Sequence, residues 1–137
     1  MTISPALDVQ MALRDLLVAR ASLTTMLGGA KIYDDVPQGQ THPYVTIAEI
    51  TTSDWSTQTR RGYEHIITMH VWSRHKGRKQ VQSIIGEIDA GLDGATLAMT
   101  SHHMVNLSVV FWTALRALDG ETYHGIVRAR CVTEPLI

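Results

Sequence analysis

With a single cysteine, Cys131, the chain cannot form an internal disulfide, and its folding does not require an oxidising compartment. Long apolar runs are missing as well. None approaches the roughly 18 residues of a membrane-spanning helix. The start, Met1-Thr2-Ile3-Ser4-Pro5, lacks the basic residues and apolar stretch of a signal peptide. These absences point to a soluble, intracellular and unprocessed chain. Charge of one sign is not in excess either: 12 Lys and Arg against 13 Asp and Glu leave a net charge of −1 with histidines neutral. That argues against a protein whose main affinity comes from neutralising phosphates. Apolar residues make up 45% and charged residues 18%, an ordinary globular balance that argues against disorder. A length of 137 residues fits one domain, 1–137, with no repeat, low-complexity tract or linker.

What is present alternates between helical and extended periodicity. Ser4-Pro5 suits a helix start, because serine caps and proline fits the first helical position. Ala6, Val9, Leu13, Leu16 and Leu17 then recur at helical spacing, and the helix is expected to end near Arg20. Ser22 is expected to cap a second short helix through Leu23 and Met26, stopped by Gly28-Gly29. Ile32-Tyr33 reads as a short β-like piece before a turn-rich stretch. Tyr44 to Thr52 and Tyr63 to Trp72 read as a long antiparallel hairpin around the polar tip Ser53 to Gly62. In its second strand Tyr63, His65, Ile67, Met69 and Val71 share one face. The other mixes Glu64, Thr68 and His70 with Ile66 and Trp72, which suggests cover by another subunit.

Lys76-Gly77-Arg78 is expected to open the clearest helix, with Val81, Ile84, Ile85, Ile88 and Leu92 as its buried stripe, ending by Gly94. Val105, Leu107, Val109 and Phe111 alternate with Asn106 and Ser108 as a half-buried strand. Asp119-Gly120 supplies a turn, and Tyr123 to Val132 returns, with Val127, Ala129 and Cys131 facing opposite to His124, Arg128 and Arg130. The fold class is therefore α+β: an antiparallel sheet of two hairpins with helices on one face, in the order α-β-β-α-β-β.

Chemistry is hard to find. His65 and His70 fall on opposite strand faces, and His102-His103 sit side by side in an expected loop. No cysteine pair or His-Glu-x-x-His pattern accompanies them, so no metal site is expected. There is no Gly-x-Ser-x-Gly elbow, and Cys131 reads as a buried, inert thiol. Leu27-Gly28-Gly29 and Gly91-Leu92-Asp93-Gly94 match neither phosphate-binding loops nor the dinucleotide fingerprint, and helix ends explain them. No catalytic residue, cofactor or metal is assigned. The informative residues lie at the surface: the hairpin tip carries Asp54, Trp55, Arg60 and Arg61, and Trp and Arg are the types most enriched in interface hot spots. Arg128 and Arg130 are candidates to face a partner or a lumen.

The run Leu23 to Tyr44 contains Met26-Leu27-Gly28-Gly29, Lys31-Ile32-Tyr33 and Val36-Pro37-Gln38-Gly39 before Pro43-Tyr44. It resembles the tail-completion, or tail-terminator, family of long-tailed phages and gene transfer agents. Asp54 with its polar tip, Tyr63-Glu64, Val71-Trp72-Ser73 and Ile88-Asp89 before Leu92-Asp93 are similar too. The order and spacing of these motifs from Pro5 to Gly94 carry the resemblance. It implies a structural virion protein, not an enzyme. Six copies would form a ring that caps the tail tube, stops its polymerisation and joins the tail to the head connector. The implied partners are other copies of the chain, the tail tube protein and the head-tail connector or stopper protein. DNA would pass the lumen without being read. The implied location is the head-proximal end of the tail, reached from the host cytoplasm during assembly. The nearest alternative is a head-side stopper or adaptor ring. A metal-dependent hydrolase using the histidines and a small DNA-binding regulator are more distant ones.

Overall fold

The first helix begins where its chemistry directs. Helix α1 spans Pro5–Val18, and Ser4 Oγ accepts the Leu7 N–H at 3.4 Å. The computed structural model describes residues 3–136; Met1 and Thr2, at the start read as lacking a signal, and Ile137, at the end of the expected domain, lie outside them. Val9, Ala12, Leu13 and Leu17 of α1 enter the core together with Asp8. Helix α2 spans Ala21–Leu27 and stops at Gly28, whose φ of 80° is the left-handed value that glycine accepts. Ser22 does not cap it. Arg20 occupies the cap position without a side-chain capping bond, and both its guanidinium and the Ser22 hydroxyl donate to Glu87 instead, the latter at 2.8 Å.

Ile32–Tyr33 forms β1, which runs parallel to β2, Tyr44–Asp54. The expected pair of antiparallel hairpins is present, but this extra strand makes the sheet mixed and five-stranded. Strand β3, Tyr63–Ser73, completes the first hairpin. Helix α3 spans Lys79–Leu92, starting later than expected because Gly77 turns the chain at φ 81°. Its stripe of Val81, Ile84, Ile85, Ile88 and Leu92 is buried as the spacing predicts. Each such side chain contributes on the order of 1.5–3 kcal/mol.

Strand β4, His102–Arg116, pairs antiparallel with β5, Tyr123–Pro135, and β5 also pairs with β3. The sheet order is β1-β2-β3-β5-β4. The His102-His103 pair opens β4 and does not lie in a loop. Strand β4 alternates as expected from Asn106 to Val109, with Leu107 and Val109 inward, but not at Val105 or Phe111. Bulges between Met104 and Asn106 and between Val109 and Phe111 shift its register. Each inserted residue reverses the inward and outward sets. Val105 and Phe111, expected inside, are therefore 54% and 44% exposed, while Leu107 is buried as expected.

The helices occupy one face of the sheet. Gly125 of β5 allows the close approach of α3, because a Cβ there would stand 2.8 Å from Val81 Cγ1 and 3.0 Å from Ile85 Cδ1. On β3 the inward residues His65, Ile67, Met69 and Val71 are buried, as their alternation predicts. Among the described residues the opposite face carries no helix.

Candidate functional site: hairpin tip and uncovered sheet face

Register fixes what the uncovered face displays. Across it run the rows Trp72–His124–Leu115, His70–Ile126–Thr113, Thr68–Arg128–Phe111, Ile66–Arg130–Ser108 and Glu64–Val132–Asn106. At one end Trp72 and His124 stack with ring centroids 4.1 Å apart, and His70 lies 4.6 Å from His124. A hydrogen bond joins His70 Nδ1 and His124 Nε2. Partial burial lowers the pKa of both imidazoles. Neighbouring Arg128 lowers that of His70 further, partly offset by Glu49, and His70 itself lowers that of His124. Both are therefore neutral, packable rings at neutral pH.

In the middle of the face the two arginines differ. Arg130 donates through Nε to Glu64 at 2.6 Å, and its guanidinium lies 5.2 Å from the Trp55 ring. Trp55, 54% exposed, is thus held by a cation from β5 across the hairpin. Arg128 lies 5.2 Å from the Phe111 ring, is exposed, and has no carboxylate partner among the described residues.

The tip residues scatter from Trp55. Asp54 ends β2 and accepts the Ser56 hydroxyl. Arg60 pairs with Glu134 at 3.0 Å, which also meets His103 Nε2 at 3.0 Å. Arg61 lies 5.8 Å from the Tyr63 ring. The structure thus brings Trp55 to Arg130 and Arg60 to the end of β5, while Arg128 belongs with the edge strand β4. Gly62 closes the tip, since a Cβ there would stand 2.9 Å from the Trp55 carbonyl oxygen.

Two buried polar groups are not part of this face. Asp8 accepts from the Thr100 and Ser101 amides at 3.0 and 2.9 Å, from the Thr100 hydroxyl, and meets His102 Nδ1 at 2.9 Å. Burial raises its pKa, but these hydrogen bonds together hold it below the usual value. His65 sits between the Thr52 and Thr133 hydroxyls, and burial, then the charge of His102, lowers its pKa to about 4. Burial pushes the Cys131 thiol up to about 12, which leaves it unreactive. Asp8 is the residue that sequence reasoning missed: its place in the first turn of α1 gives no hint of a contact more than 90 positions away. No group of three or more potential metal-ligating side chains converges among the described residues.

Among the described residues, three helices on one face of a mixed sheet, with an aromatic and basic face left uncovered, define an α+β domain. The chain belongs to the family Tail completion protein gp17, whose model matches residues 11–134. Members of this family are structural components of the virion. None of the curated proteins matches the chain by sequence. Among solved structures, a chain in the virion of a native gene transfer agent particle aligns with a TM-score of 0.88 at 24% identity, over 97% of this chain and 99% of that one. The bacteriophage SPP1 gp17 protein aligns with a TM-score of 0.60 at 19% identity, over 92% and 88% of the two chains. At these identities the likeness concerns the fold.

Proposed function

We propose that this protein is a tail terminator: six copies close into a ring that caps the tail tube, stops its polymerisation and joins the tail to the head connector. The observation that carries this reading is the sheet face of a tail-completion chain left without a helix, bearing Trp72, Ile66, Arg128 and Phe111. A closed ring uses two different complementary patches per subunit, and such patches account for apolar and aromatic residues left in the open.

The role is steric and interfacial. The chain performs no catalysis and uses no cofactor. Its partners are its own copies, the tail tube protein and the connector or stopper protein, at the head-proximal end of the tail. Assembly takes place in the host cytoplasm. DNA passes the lumen without being read. Arg128, with no carboxylate partner among the described residues, is the stronger candidate to face lumen or partner, because Arg130 is engaged by Glu64. Trp55 and Arg60 form the tip contact. Copies associate weakly until the tube end presents a ring of identical sites, which raises their effective concentration.

Electron microscopy of particles produced without this gene tests the reading. Overlong or unattached tails beside filled heads are expected. Tails of normal length with heads that leak DNA would move the protein to the head side of the junction, as a stopper.

A further inference from the structure

The sheet has two unequal edges, and both are open where they are at the same height. On one side β4 has no further strand beside it along His102–Arg116 among the described residues. On the other, β1 covers only Val45 and Thr46 of β2, which leaves Glu49–Asp54 open. Natural edges are usually blunted by lysine, proline, short length or bulges, and of these β4 has only its two bulges. Strand β4 has 15 residues, no lysine, no proline and no acid. Its bulges leave Val105 and Val110 54% and 53% exposed, and Trp112 beside them is 48% exposed. An edge this long and apolar is a template for another strand.

Following the register across the sheet gives Glu49–Thr68–Arg128–Phe111, then Thr51–Ile66–Arg130–Ser108, then Ser53–Glu64–Val132–Asn106. The open half of β2 and the stretch Asn106–Phe111 of β4 therefore share a height. Their directions are opposed, because β2 and β5 run one way and β3 and β4 the other. Rotation about an axis along the strands preserves height and direction. It lays β4 of one copy antiparallel to β2 of the next. The charges agree as well. Glu49 is exposed with no ion-pair partner among the described residues, and it would arrive beside Phe111 and the Arg128 guanidinium stacked on it.

We infer that the occupant of the β4 edge is a second copy of this chain: β4 adds to the open half of β2 in the next protomer, and the sheet continues around the ring. This rests on the ring reading above and specifies its head-to-tail contact.

Paired cysteines test it in assembled particles. Glu49→Cys with Phe111→Cys, and separately Thr51→Cys with Ser108→Cys, are treated with a short bismaleimide. The buried Cys131 thiol does not compete. Each double variant is expected to give a ladder of covalent oligomers ending in a closed ring, and each single variant only monomer. A ladder through the amines of Lys31, Lys76 and Lys79, with monomer from both cysteine pairs, would overturn the edge contact and leave the ring. Monomer with both reagents would overturn the ring as well. Self-dimers of a single variant would replace the head-to-tail contact with a two-fold one. Unmutated protein gives an independent measure by hydrogen exchange. Amides of β4 and of Glu49–Asp54 should gain protection in the particle relative to the free chain, and unchanged exchange at both edges would overturn the proposal.

Discussion

Asp8 and His102, 94 positions apart, meet at 2.9 Å in the interior, and the same carboxylate also accepts both amide protons of Thr100 and Ser101. One side chain thus ties the first turn of α1 to the start of β4. It orients the last residues before that strand by accepting their backbone N–H groups.

Asp8→Ala should therefore destabilise the chain by about 2 kcal/mol, because it removes four hydrogen bonds at once, one of them to the buried His102 ring. Chemical denaturation at pH 7 measures this. A loss under about 0.5 kcal/mol would mean that the donors find other partners.

Acid should weaken the fold through His65. Its folded pKa of about 4 lies below the ordinary 6.5 because the ring is buried. As pH falls below 6.5 the unfolded chain takes up a proton that the folded chain refuses. Stability contributed at neutral pH is thus lost between about 6.5 and 4, by at most roughly 3 kcal/mol. His70 and His124, also lowered by burial, add losses of the same sign. Replacing His65 with glutamine should flatten this part of the stability–pH curve, and an unchanged slope would exclude His65 as its main source.

Gly125→Val should be more damaging than a surface substitution. Even its first carbon meets Val81, Ile85 and Val71 at 2.8 to 3.3 Å, and β-branched Val81 has little freedom to move. A loss of about 1–3 kcal/mol, read from the thermal midpoint, is the expected cost of overpacking. A variant as stable as the parent would show that α3 stands farther from the sheet.

At the tip, Trp55→Ala combined with Arg60→Ala should impair assembly while the monomer stays folded. Both side chains are more than half exposed, and the Arg60–Glu134 pair is a surface ion pair worth no more than about 1 kcal/mol. Circular dichroism should match the parent while tail length or infectivity changes. Normal tails and full infectivity would remove the tip from the interface.

Several of these positions were legible in the sequence and others were not. The α3 stripe and the His65-to-Val71 face follow from periods of 3.6 and 2, and each of those residues is buried. In β4 the same reasoning held from Asn106 to Val109 and failed at Val105 and Phe111, because each bulge adds one residue and inverts the faces beyond it. Composition marked Trp55 and Arg130 separately, but their contact depends on β5 lying next to β3, which the order of segments does not reveal. Asp8 gave no signal, since a carboxylate in a first helical turn usually serves the helix dipole.

The placement of all three helices on one face divides β3 and β5 into two interleaved texts. Alternate residues specify the fold, and those between them specify what touches the outside. Apart from Thr68 and Val132, which are buried, substitutions in the second set leave the first intact, so the outer surface can diverge while the fold is kept. A fold shared at a TM-score of 0.88 with 24% identity fits such a division of labour.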